Sequence, residues 1–481
     1  MREKLKMNKS YLIYVLLIVS MFFYVETNSS SGNSHFEPIN SLSTSSTSND
    51  FSSNYRRQTD LNDFILKEAY KYPLKEMHNY VSGLNSAHGF NGSILVAKNG
   101  KILFEEHVGN KDPRHKESID NENTYQLASL SKQFTASAIL LLYQEGKLDL
   151  DDFAVKYLTN FPYKNITIRH LLNHISGLPN YMYAAEHNWK NELPPDNSEM
   201  LDLMNKLKMQ AYFEPGSVFD YSNTGYFILA SIVSKISDQS LSDFLDSRFF
   251  KPLNMQHTYV HNPKEETGKN ELLGFRRYGR SYRSIPFTIN DGVVGDKGVY
   301  STVNDLFKWN QSLTENTILN DTILAKAFLP GKTNRGKSVP YGFGFRLKQE
   351  NDSDLIYHNG VWNGFHNTLR RYETDDITII ILSNNSFNSI TAVSEELHEL
   401  GKAFSKYESF ASIIENTNIY DINKLKNDLV NFTDIPRVES VAIIEKIANI
   451  YNKKNARFLS YKNLVVSNPY LVNQQYQSLL N

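Results

Sequence analysis

The 481-residue chain contains no cysteine. That excludes disulfides, thiolate-bound zinc, iron–sulfur clusters, a thiol nucleophile and a cysteine-linked lipid anchor, so covalent catalysis would have to use an oxygen or nitrogen nucleophile. Neither charge sign dominates: Lys+Arg 51 against Asp+Glu 52 leaves a formal net charge of −1, which argues against a surface built to hold nucleic acid. No G-x-S-x-G is present, so the α/β-hydrolase nucleophile elbow is missing, and there is no glycine-rich phosphate loop. Long apolar runs are also scarce. The run from Tyr11 to Val25 follows Arg2, Lys4, Lys6 and Lys9 and spans about 15 residues, short of the roughly 20 that cross a bilayer squarely. Residues 1–25 therefore read as an export signal, either cleaved or kept as an anchor. On that reading the rest of the chain lies outside the cytoplasmic membrane, and any membrane contact runs through this segment alone.

Residues 26–60 are rich in serine and poor in large apolar side chains. Such a stretch cannot bury enough surface to offset its ordering entropy, and it reads as a disordered spacer. Periodic patterning begins near Leu61. Asn99-Gly100 between Gly92–Val96 and Lys101–Glu105 predicts a β-hairpin. Ser129–Gln144 is apolar over four turns and stops at Glu145-Gly146, which predicts a buried helix with a glycine cap. Helical patterns also cover Leu74–Leu84, Ile168–His174, Met200–Met209 and Phe227–Lys235, and Asp376–Leu382 reads as a core strand. Strands at both ends with helices between them indicate an α+β body over 61–403. The polar, aromatic stretch between Asn180 and Asn197 is either a lid beside a cleft or a surface loop. From about Phe404 the texture becomes rich in Ile, Asn and Lys, so 404–481 is expected to be a helical appendix.

Three motifs carry the chemistry. Ser129-Leu130-Ser131-Lys132 sets a hydroxyl and an amine one helical turn apart. Burial would lower the ammonium pKa until Lys132 could accept the Ser129 proton. Alone, S-x-x-K reads as a capped helix with a solvated lysine before it reads as a catalytic pair. It is followed, in order, by Tyr221-Ser222-Asn223 behind Glu214-Pro215-Gly216, and by His358-Asn359-Gly360.

In this order and spacing the motifs resemble the serine β-lactamase and penicillin-binding protein superfamily, in the branch that holds class C β-lactamases, D-alanyl-D-alanine carboxypeptidases, D-aminopeptidases and related esterases. The stretches NGSILVAKNGKILFEEHVG, LLNHISGLPNY, FEPGSVFDYSNTGYFILA and GDKGVYSTVNDLFKW add to the likeness. The resemblance implies a β-lactamase-like fold, with an antiparallel sheet flanked by helices and a mainly helical subdomain. It implies a Ser129 acyl-enzyme, Lys132 and Tyr221 as proton-handling groups, and an oxyanion hole from the backbone N–H groups of Ser129 and Val361. Asn223, His358, Asn359 and Gly360 would bind substrate. Which of Lys132 and Tyr221 takes the first proton is open at this level.

Such a mechanism needs neither metal nor cofactor. The implied substrate is a small molecule or a peptidoglycan peptide, with β-lactams as acylating ligands. Rivals on the same site are carboxylesterase, D-aminopeptidase and weak β-lactamase activity, and a silent wall-binding protein is the rival of another class. Recognition of a substrate carboxylate would fall to His358 or to an arginine; Arg276, Arg277, Arg280 and Arg283 cluster in one stretch, which reads as a solvated basic loop before it reads as a substrate contact. His170 and His174 stand at i, i+4 without the glutamate of a metalloprotease helix, which favours structural roles.

Overall fold

The computed structural model describes residues 73–416 apart from 113, 264–269, 280, 351 and 352. The expected signal, the spacer, Arg280 and the greater part of the expected appendix lie outside the described residues. One compact unit spans Glu76–Gly401. Of the second unit only 73–75 and 402–416 are described, as the outer ends of two helices.

The chain enters through helix α1 (73–88) into β1 (Gly92–Lys98) and β2 (Lys101–Val108). Asn99 and Gly100 both take positive φ, 49° and 69°, as a two-residue hairpin turn requires. The last four strands, β8 (Arg346–Glu350), β9 (Ser353–Trp362), β10 (Phe365–Tyr372) and β11 (Ile377–Ser383), complete a six-stranded sheet in the order β2-β1-β11-β10-β9-β8. Every neighbouring pair is antiparallel. The first and last strands therefore pair inside the sheet, and β1 and β11 are buried along their whole length. Their alternation assigns the layers. Ile377 meets Gly401 of the closing helix α10 (Ile390–Asn416). Thr378, on the opposite face, accepts from Asn310 Nδ2 of α8 (Val303–Thr314) at 3.0 Å.

Between the two halves of the sheet lies the helical subdomain, with a three-stranded sheet β3-β7-β4 (Tyr125–Gln126, Val299–Ser301, Tyr259–Val260) and a hairpin of β5 (Phe275–Tyr278) with β6 (Ser281–Ser284). Its centre is α2 (Ser131–Gln144), buried without a break from Ser131 to Leu142. A short 3₁₀ turn, Ala128–Leu130, precedes it, and Gly146 closes its far end at φ +69°. The helix carries polar groups inward as well: Trp309 Nε1 donates to Gln133 Oε1 at 2.9 Å beside Phe134 and Phe250, whose rings meet edge to face. Helices α3 (Ile168–Leu172), α4 (Tyr181–Asn188), α5 (Asn197–Leu207), α6 (Asn223–Ser237), α7 (Leu241–Leu245) and α9 (Asp321–Ala327) complete the body. It has the α+β, β-lactamase-like architecture that the motif order implies. The last helix, Ile390–Asn416, runs continuously across residue 404, where the sequence texture changes.

Candidate active site

Ser129 sits half-buried in the 3₁₀ turn, directly after Ala128, whose φ of 53° is left-handed although the residue is not glycine. Such a conformation costs of order 1–3 kcal/mol and persists only where the surroundings impose it. Here they are close at hand. A Cβ on Gly360 would stand 2.0 Å from the Leu127 carbonyl oxygen and 3.3 Å from the Ala128 Cβ. Only a glycine lets β9 lie this close to the turn, and the next residue of the strand is the exposed Val361.

One helical turn on, Lys132 is fully buried. Its Nζ contacts Ser129 Oγ at 3.1 Å, Asn223 Oδ1 at 2.8 Å and the Asp296 carbonyl oxygen at 2.8 Å. Burial lowers its pKa to about 7, with Asp296 opposing and Arg346 adding to the fall. A neutral amine is therefore populated near neutral pH within reach of the serine hydroxyl.

Tyr221 reaches the same point from the residue before Ser222, which caps α6 through its hydroxyl. Its own hydroxyl is buried next to Ser129, and burial raises the phenol's pKa while the neighbouring Ser129 hydroxyl and Arg346 pull it down. Two cations flank the ring, Lys132 Nζ and the Arg346 guanidinium, each 4.9 Å from its centroid. On another side lies His174, at 4.2 Å between centroids and tilted by 35°. His174 Nδ1 accepts the Ser222 N–H at 3.0 Å, so its proton is on Nε2. Burial, together with Lys132, His358 and Arg346, keeps this imidazole well below its usual pKa. His170 accepts the Thr167 N–H in the capping box of α3. The two histidines thus hold a helix start and a tyrosine ring.

His358 is buried, with Nδ1 at 2.6 Å from the Asn359 carbonyl and Nε2 at 2.9 Å from the Tyr341 hydroxyl. A carbonyl only accepts, so Nδ1 carries the proton and Nε2 receives that of Tyr341. Burial, Lys132 and Arg346 hold the ring's pKa well below the usual value. Both nitrogens of a neutral imidazole are committed within the protein. The Asn359 side chain is likewise engaged, its Oδ1 accepting from Thr368 Oγ1 at 2.7 Å.

Ser129, Lys132, Tyr221 and Asn223 thus converge on one point, with Gly360 against the serine turn. The predicted arginine stretch is elsewhere: Arg276 and Arg283 face each other across the exposed β5–β6 hairpin. The cation at the site is Arg346, half-buried at the start of β8, whose guanidinium has no hydrogen bond or ion pair among the described residues. Its sequence signal is slight, a single arginine after the run YGFGF. The stretch after Asn180 is tied at both ends. Tyr181 is buried against Asp296, and a Cβ on Gly292 would meet the Pro195 carbonyl at 2.4 Å. Between them Tyr183 and Leu193 are exposed.

A model of the Beta-lactamase family matches residues 75–397. Penicillin-binding protein 4* of Bacillus subtilis (strain 168) is 34% identical over 325 residues, which cover 64% of this chain and 71% of that protein. The octameric penicillin-binding protein homologue from Pyrococcus abyssi superposes with a TM-score of 0.57 at 25% identity, over 66% of this chain and 74% of that one. The D-amino acid amidase from Ochrobactrum anthropi SV3, complexed with L-phenylalanine, shares the fold at a TM-score of 0.55 and 24% identity, over 66% of this chain and 91% of its own. With a family model matched over more than half its length and the serine–lysine site in place, the chain belongs to the β-lactamase family and is a serine hydrolase.

Proposed function

We propose that this protein is exported by residues 1–25 and cleaves D-amino-acid peptides of the cell wall through a Ser129 acyl-enzyme, as a carboxypeptidase of the penicillin-binding type. The observation that carries the reading is the contact of a fully buried Lys132 Nζ, with its pKa lowered to about 7, to Ser129 Oγ at 3.1 Å. Neutral Lys132 takes the hydroxyl proton as the serine oxygen attacks the peptide carbonyl. Tyr221, with its phenol pKa raised, stays protonated and passes a proton to the departing amine, with Lys132 resupplying it. The backbone N–H groups of Ser129 and Val361 receive the oxyanion, a contribution of about 10²–10³ in rate per donor. Asn223 holds Lys132 and offers its amide to the substrate.

The unpaired Arg346 guanidinium beside Tyr221 favours a substrate ending in a carboxylate over a neutral ester. His358, neutral with both nitrogens engaged, serves as the support of Tyr341 and β9. Relatives named penicillin-binding proteins support β-lactams as acylating ligands. The test is a side-by-side assay of a peptide ending in D-Ala-D-Ala and a short acyl ester. Release of D-alanine at a rate matching or exceeding ester cleavage supports the reading. Ester turnover faster by orders of magnitude, with no D-alanine released, overturns it.

A further inference from the structure

Directly behind Lys132 lies a second buried lysine that none of the catalytic motifs includes. Lys297 and Asp296, 3% and 1% exposed, form an ion pair at 3.5 Å inside the protein. Tyr181 closes the set: Lys297 Nζ donates to its hydroxyl at 2.5 Å, and that hydroxyl donates to Asp296 Oδ2 at 3.1 Å. The backbone carbonyl of the same Asp296 is the group that holds Lys132 Nζ. The other side of Lys297 faces the end of β9, with its ammonium 5.1 Å from the centre of the Trp362 ring. Trp362 follows Val361 and donates from Nε1 to Asp291 Oδ1 at 2.6 Å, and Asn363 donates to both oxygens of that carboxylate. Removing an ionisable pair of this kind from water is expensive unless every remaining polar atom is matched, and Asp296 Oδ1 has no hydrogen bond among the described residues. A hydrophobic pair would cost less. The position of the pair, between the base and the end of β9, accounts for its being there.

We propose that Lys297 is a positioning residue for acylation: by neutralising Asp296 and resting on Trp362, it sets the charge that Lys132 faces and fixes the end of β9 next to Val361. The groups facing Lys297 are Asp296 and Asp291 from its own loop, Tyr181 from α4, Lys132 from α2 and the Trp362 ring from β9. Lys132 faces Asp296, Arg346 from β8, and the rings of Tyr221 and Tyr226. His174 and His358 also stand within electrostatic reach of it. With Lys297 charged, the Asp296 carboxylate is balanced and attracts the Lys132 ammonium only weakly. Without it, the carboxylate draws a proton onto Lys132 and the free amine forms only at higher pH.

The inference rests on Ser129 being acylated with Lys132 as base, and its test separates the two. Acylation rates of the full chain with a fluorescent penicillin are measured from pH 5 to 9. Lys297→Met is expected to move the acid limb upward by about one pH unit, and Asp296→Asn to move it downward. The double variant should return close to wild type, and Lys297→Arg should keep the wild-type limb. Asp296→Asn preserves shape, so it decides the matter should the methionine variant fail to fold. Limbs that stay put, or that move the same way in Lys297→Met and Asp296→Asn, overturn the role of Lys297 while leaving acylation intact. A folded wild type that is not acylated removes the Ser129 reading instead.

Discussion

Replacing Gly360 with alanine would put a methyl carbon 2.0 Å from the Leu127 carbonyl oxygen and 3.1 Å from its carbon, both backbone atoms with no rotamer to give way. Relief requires β9 and the Ser129 turn to separate by roughly 1 Å, a misplacement that can cost about 10²-fold in rate. On the proposed mechanism the donor displaced is the Val361 N–H, whose loss as an oxyanion contact would by itself cost about 10²–10³-fold. Ala128, already held at φ 53°, has its Cβ only 3.3 Å from the added methyl, so the strained turn also absorbs the clash. Overpacking of this kind destabilises by about 1–3 kcal/mol. Gly360→Ala should therefore acylate with a fluorescent penicillin at least about 10²-fold more slowly by stopped flow, while a urea titration still shows a cooperative fold of reduced midpoint. Wild-type acylation rates in this variant would refute the claim that β9 and the serine turn are held in register by that contact.

Three further outcomes follow from the site. Acylation should rise about tenfold per pH unit from pH 5 and level off near 7, because Lys132 works as the free amine and its pKa is lowered to about 7. His174 and His358, held neutral, add no second limb, and a flat profile across that range would contradict Lys132 as base. His174→Phe removes the acceptor of the Ser222 N–H and should cost about 1–3 kcal/mol in urea unfolding along with slower acylation; unchanged stability would show that the ring does not hold the tyrosine loop. Arg346→Gln, assayed at pH 9 where Lys132 is the free amine in both proteins, should lower kcat/KM about 10–100-fold more for a peptide with a free terminal carboxylate than for its amidated counterpart. Equal losses on both peptides would place the arginine's role elsewhere.

What could be read from the chain divides by the range of the interaction. The β1–β2 turn is written in Asn99-Gly100, because both positive φ values are local demands. Ser129 and Lys132 were legible because i and i+3 share a helix face whatever surrounds them. Ser222 caps α6 by the same short-range logic, which sets Tyr221 just before the helix and Asn223 at its first residue.

The residues that escaped depend on partners distant in sequence. Arg346 reaches Tyr221 only because β8 pairs with β9 at the sheet edge. Asp296-Lys297 has no local pattern that announces its burial, and tertiary packing buries both. His358 has the sequence position of a substrate contact, and the Tyr341 hydroxyl that occupies its Nε2 comes from 17 residues away. The arginine-rich stretch was read correctly from local charge density as a solvated patch, and what the sequence did not show is the register that opposes Arg276 to Arg283 in an exposed hairpin. Gly360 was expected to make room for substrate, and the atom it makes room for is the Leu127 carbonyl oxygen.

The most direct measurement is the intact mass of the full chain and of its Ser129→Ala variant after incubation with a fluorescent penicillin and, separately, a fluorophosphonate. A single adduct on the wild type with each probe and none on the variant is the predicted result. Adducts on both proteins, or none on a folded wild type, would contradict the assignment of Ser129 as nucleophile.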